Sequence, residues 1–160
     1  MAKSSNQKLK LLYIVRYLLQ RSDEEHPVST AEIIEELARN DISAERKSIY
    51  DDIEALRLFG LDIIQLKGKN GGYYIGERDF ELPELKLLVD SIQSSKFITE
   101  DKTYKLIKKI EGLASEYDGQ LLQRQVYVTN RVKSMNESIY YAVDAVSDAI
   151  VQNKIGRAHV

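Results

Sequence analysis

The chain has 160 residues, a formal net charge of -2 and no cysteine. The lack of cysteine excludes a disulfide framework, cysteine metal ligands and a thiol nucleophile, and it fits a reducing compartment. No apolar run is long enough to span a bilayer and Met1-Ala2-Lys3-Ser4-Ser5 leads into no signal-peptide core, so the expected setting is cytoplasmic and away from membranes.

Gln7 to Arg21 is predicted as a first helix carrying Leu9, Leu12, Tyr13, Arg16, Tyr17 and Leu19. Ser22 to Pro27 is a polar break, and Pro27 cannot continue a helix. Ser29-Thr30-Ala31-Glu32 is a capping box, in which serine and glutamate satisfy reciprocal backbone donors. It opens a second helix with Ile33, Ile34 and Leu37 inward. After a short turn at Asn40-Asp41-Ile42, Ser43 is expected to cap a third helix, because its hydroxyl can accept a free backbone N–H. Gly60 suits the left-handed position that ends it. On this helix Ile49, Ile53 and Leu56 recur at helical spacing, and Ala55 and Phe59 are expected to widen the same side. The opposite face near the N-terminus carries Ala44, Arg46, Lys47, Ser48 and Tyr50. Such small, basic and aromatic donors could reach into a groove of DNA. An ordinary amphipathic helix with a solvated charged face is the plainer alternative, and the neighbouring elements weigh against it.

Asp62 to Lys67 reads as a strand, Gly68 to Gly72 as a flexible turn with an Asn70-Gly71 hairpin signal, and Tyr73 to Ile75 as the returning strand. A helix-turn-helix followed by a hairpin is the pattern of a winged helix. Lys67, Lys69 and Asn70 lie at its tip or flank. Residues 1–78 hold 12 basic and 13 acidic side chains, so any DNA contact must rely on local clustering rather than a bulk positive field.

Glu77 to Leu82 reads as a boundary, and Pro83 suits a helix start. Leu85, Leu88, Val89 and Ile92 then form an apolar stripe. Thr99 is expected to cap a helix that carries Tyr104, Ile107, Lys108 and Leu113 and ends at Asp118-Gly119. Gln123 to Met135 reads as a loop or short extended piece. Asn136 is expected to cap a last helix with Ile139, Tyr140, Val143, Val146 and Ile150. These stripes suit core or dimer contact. The expected fold is mainly α with a small β-hairpin: a winged helix-turn-helix over residues 1–78, then a helical linker and dimerisation region over 79–154.

Arg46-Lys47-Ser48-Ile49-Tyr50-Asp51-Asp52-Ile53-Glu54-Ala55-Leu56 with Phe59-Gly60, then Ile63 and Gly71-Gly72-Tyr73-Tyr74, resembles the winged-helix domain that opens bacterial WYL-domain transcriptional regulators. The resemblance extends to Pro83-Glu84-Leu85 and to Val126-Tyr127-Val128-Thr129-Asn130-Arg131-Val132-Lys133, and covers about residues 7–153. It implies an N-terminal domain that binds operator DNA, a helical linker, and a β-rich WYL domain that senses an effector. Asp51 departs from the Arg or Lys common in the family, and an acid facing DNA there would weaken a phosphate contact. The Trp-Tyr-Leu motif and its domain are absent from these 160 residues. The chain is therefore expected to be a fragment that stops before that domain, and Ile155 to Val160 looks like the translation of a sequencing adapter.

No His or Cys pair has metal-ligand spacing, and Gly68 to Gly72 lies in a hairpin rather than between a strand and a helix. Asp51 and Asp52 are adjacent, so they diverge by about 100° on a helix and form no carboxylate dyad. The expectation is a non-enzyme without cofactor or metal. It is a sequence-specific regulator whose DNA-binding residues are Ser43, Ala44, Arg46, Lys47, Ser48, Tyr50, Lys67, Lys69 and Asn70. Its expected partners are double-stranded DNA and a second copy of the chain; the effector is unassigned. The alternative is a winged helix used for protein contact, which the balanced charge of residues 1–78 favours.

Overall fold

The computed structural model describes residues 7–68, 71–126 and 138–152. They are mainly α with one small antiparallel hairpin, arranged as a winged helix followed by further helices. A 3-10 turn at Gln7–Leu9 leads into α1, Lys10–Arg21, which buries Lys10, Ile14 and Leu18 at four-residue spacing. Helix α2, Thr30–Arg39, opens on the expected capping box. Ser29 Oγ accepts the Glu32 N–H at 3.3 Å, and the Glu32 carboxylate accepts the Ser29 N–H at 2.8 Å. Ile33 and Leu37 are buried, and Ile34 is half-covered. The turn that follows puts Asp41 in the left-handed region, φ 57°. It donates the Ile42 N–H to the Leu37 carbonyl at 2.9 Å and leaves Ile42 fully buried.

Helix α3, Arg46–Phe59, begins later than Ser43 would set it. Its N-cap is Glu45, which makes no side-chain capping bond. Sinking Ile42 into the core carries the chain through four irregular residues before it can coil. The Ser43 carbonyl is instead tied to Gln7 Nε2 at 2.9 Å. Gly60 ends the helix at φ 112°, as expected for a left-handed cap. Ile49, Ile53 and Leu56 are buried, but Phe59 is 82% exposed and Ala55 is exposed too. Those two lie about 80–120° round the helix from Ile49, beyond the Ser48 and Asp52 positions that Lys10 of α1 meets.

Strands β1, Ile63–Leu66, and β2, Gly72–Ile75, pair antiparallel with Ile63 opposite Ile75 and Leu66 opposite Gly72. Val28 joins the other edge of β2, exchanging both backbone bonds with Tyr73 at 2.9 and 2.8 Å. This makes β2 central and buried, whereas β1 buries only Ile63. A Cβ at Gly72 would lie 2.5 Å from the Val28 carbonyl oxygen, so the close approach needs glycine. One apolar core joins α1, α2, α3, Val28 and both strands.

Helix α4, Leu82–Ser94, carries Pro83 in its first turn and an unforeseen Glu81/Glu84 capping box. Helix α5, Glu100–Glu111, is capped by Thr99, whose Oγ1 accepts the Lys102 N–H at 3.3 Å. It does not run on to Asp118-Gly119. Instead Ser115 starts helix α6, Glu116–Val126, and its Oγ accepts the Asp118 N–H at 3.1 Å. Serine followed by first-turn acids is a start signal, and here it overrides the apparent stop. Gln123 to Val126, read as loop, continue α6. Residues 127–135 and Asn136 lie outside the described residues. A second core gathers Leu85, Val89, Ile107, Ala114 and Leu122. Leu88, Tyr104 and Leu113 of the expected stripes stay exposed. Helix α7, Ser138–Val151, leaves Val143, Val146 and Ile150 exposed.

The two cores meet across a polar seam around the α1–α2 loop. Arg21 pairs with Glu116. Ser115 Oγ donates to Asp23 Oδ2 at 2.8 Å. His26 stacks on Tyr117 with centroids 3.7 Å apart, and its Nδ1 lies 2.7 Å from Asp23 Oδ1. Arg78 donates to the Ser22 carbonyl at 2.7 Å. Burial raises the Asp23 carboxyl, but the bonds from Ser115 and His26 outweigh it and hold its pKa below the ordinary value. Asp118 is pushed the other way by burial and by the charge of Asp23. A cleft of about 630 Å³ opens along the seam, with Asp23, Tyr74, Arg78, Phe80, Leu85 and Asp118 among its walls.

Candidate nucleic-acid interface

Packing of Ile49, Ile53 and Leu56 against the core fixes which face of α3 looks outward. Arg46, Lys47 and Tyr50 are exposed there, Tyr50 to 42%. Ser43 is exposed beside them, while Ala44 packs partly onto the core. Lys67 is exposed at the end of β1. Lys69 and Asn70 lie outside the described residues.

The positive charge of the face is confined to the first turn of α3. Farther along, Asp51 and Glu54 are exposed, so the Asp51 carboxylate points to solvent rather than into the core. Arg57 offsets Glu54 at 2.5 Å and also donates to the Ile63 carbonyl at 2.8 Å, tying α3 to the wing. Burial, and next the nearby Tyr50, raise the pKa of the Tyr73 phenol. Because α3 has no side-chain cap, its first backbone N–H groups and the positive end of its dipole add to Arg46 and Lys47.

Ser48 is not an open donor like its neighbours. It is half-buried, and its Oγ accepts from the Lys10 ammonium, which also pairs with Asp52. The sequence reading missed Lys10 and Gln7. The signal for Lys10 was present: position 10 heads the inward series Lys10, Ile14, Leu18, where an apolar residue would be expected. His26, read only as part of a polar break, is a contact of the seam.

No protein-family model matches the chain, and no curated protein or solved structure is significantly similar to it. Among the described residues, no helix is long and apolar enough to cross a membrane.

Proposed function

We propose that the chain is a sequence-specific DNA-binding transcriptional regulator of the WYL-regulator type, working in the cytoplasm and without catalytic activity. The observation that carries this reading is the outward first turn of α3, where Arg46, Lys47 and Tyr50 are exposed on the second helix of a helix-turn-helix. Such a helix enters a major groove with its N-terminal residues toward base edges. Arg46 is the candidate for guanine readout. Lys67 on the wing supplies a phosphate contact that positions without specifying. Selection of bound sequences from random duplexes with residues 1–160 tests the reading. A single enriched motif supports it, and no enrichment overturns it.

With so few cations in the first turn and wing, one copy offers few phosphate contacts. Two copies on adjacent half-sites would raise affinity through effective concentration. Exposed Leu87, Phe97, Val143 and Ile150 supply apolar surface for such a homodimer. Sedimentation should show a concentration-dependent dimer; a dilution-independent monomer would remove this part. The competing protein-contact reading is favoured by Leu58, 89% exposed, and Phe59 at the far end of α3, beyond the reach of the basic turn.

A further inference from the structure

Lys10 is 7% exposed. Lysine is almost never buried to this degree without a partner. Here the ammonium has two: it donates to Ser48 Oγ and forms an ion pair with Asp52. Ser48 and Asp52 are one turn apart on α3, on the flank that faces α1. One ammonium therefore bridges two successive turns of the helix that bears Arg46 and Lys47.

A buried ion pair is seldom the most stable choice, because desolvation offsets much of the attraction. What it adds here is direction. Ile49, Ile53 and Leu56 hold α3 by apolar contact, which is non-directional and tolerates a small rotation of the helix. The ammonium does not tolerate one, since both acceptors must stay in reach. The Gln7 Nε2 bond to the Ser43 carbonyl, at 2.9 Å, ties the chain just ahead of the helix to the same end of α1. The charge matters as well. Uncompensated, Asp52 would put a negative charge beside the basic first turn and oppose a phosphate.

We propose that Lys10 is a positioning residue for DNA reading: by clamping Ser48 and Asp52 it sets the rotation of α3 and masks the Asp52 charge, so that Arg46 and Lys47 meet the groove in one register. This rests on the DNA-binding reading above. It goes beyond it by placing a determinant of specificity on α1, outside the helix that bears Arg46 and Lys47.

The test compares wild type, Lys10→Met and Lys10→Met/Asp52→Leu, all as the full chain. Each is measured for thermal midpoint, for the motif it selects from random duplexes, and for affinity to the wild-type motif. The single variant should be less stable, with an uncompensated Asp52. The double variant replaces the pair by apolar side chains and should recover the wild-type midpoint. Its affinity should nevertheless stay about 10–100-fold lower, as for a lost base contact, with weaker preference at the positions Arg46 reads. Binding is compared at a temperature where all three proteins are folded. A double variant with wild-type motif and affinity would overturn the proposal and leave Lys10 a structural residue only. If wild type itself selects no motif, the DNA reading fails first, and the positioning role falls with it.

Discussion

The winged-helix core and the seam behind it are built from different forces. Within residues 7–76, α1, α2, α3 and the hairpin share one apolar cluster, with Leu18, Ile42 and Ile49 fully buried. Between that unit and the residues that follow it, the described polar contacts include an ion pair, two side-chain hydrogen bonds and one ring stack. Apolar burial is strong and insensitive to pH; polar contacts are directional, weaker and titratable. The face proposed to bind DNA thus stands on the apolar core, and the joint to the other helices is the side that conditions can loosen.

The sharpest way to break this comparison is to weaken each region by one residue. Ile53→Ala, in the core under α3, should cost about 2–5 kcal/mol in chemical denaturation, from lost burial and the cavity left behind. Ser115→Ala, in the seam, removes both the bond to Asp23 and the cap on the Asp118 N–H and should cost about 1–2 kcal/mol. Equal losses would mean that the two regions are not distinct.

On the reading face, Arg46→Ala should lose about 1–3 kcal/mol of discrimination at one base position. Competition with single-base variants of the selected duplex would measure it. Because the core does not depend on Arg46, the thermal midpoint should stay within experimental scatter. A drop in stability with unchanged preference would reverse the assignment.

Asp23 sharpens the seam by pH. Its folded pKa is below the unfolded one, so its contribution is fully present above the unfolded value of about 4 and is lost as pH falls through the folded value. Asp23→Asn should therefore cost about 1 kcal/mol near neutral pH and progressively less in acid. Asp118 has the opposite sign: its charged form opposes folding at neutral pH, and acid relieves it. A cost of Asp23→Asn that stayed constant with pH would show that the carboxylate charge does not hold the seam.

The smallest effect belongs to the wing. Lys67→Ala should weaken binding to all duplexes alike and shallow the salt slope by about one unit. A change in motif instead would mean that the wing reads bases.

The winged helix was legible because its signals are local. The Ser29 box, Gly60, the Ile49–Ile53–Leu56 spacing and the hairpin each sit within a few residues. What was missed depends on distant partners. Lys10 looks like a solvated lysine until α3 lies against α1, and His26 looks like loop until Tyr117 stacks on it. The false cap at Ser43 came from the same limit, since only the core tells that Ile42 must be buried first. In the later helices, Asp118-Gly119 read as a stop, because Ser115 gains its capping role only once α5 has ended at Glu111.

The central claim is that the first turn of α3 and the wing bind DNA through phosphates and base edges. Titration of the selected duplex across a range of salt tests it most directly. Each phosphate neutralised releases counterions, so log affinity should fall linearly with log salt, with a slope of about -0.9 per contact. A slope of several units that becomes shallower in Lys67→Ala is the expected result. Affinity that does not change with salt would contradict the account and favour a protein partner for this face.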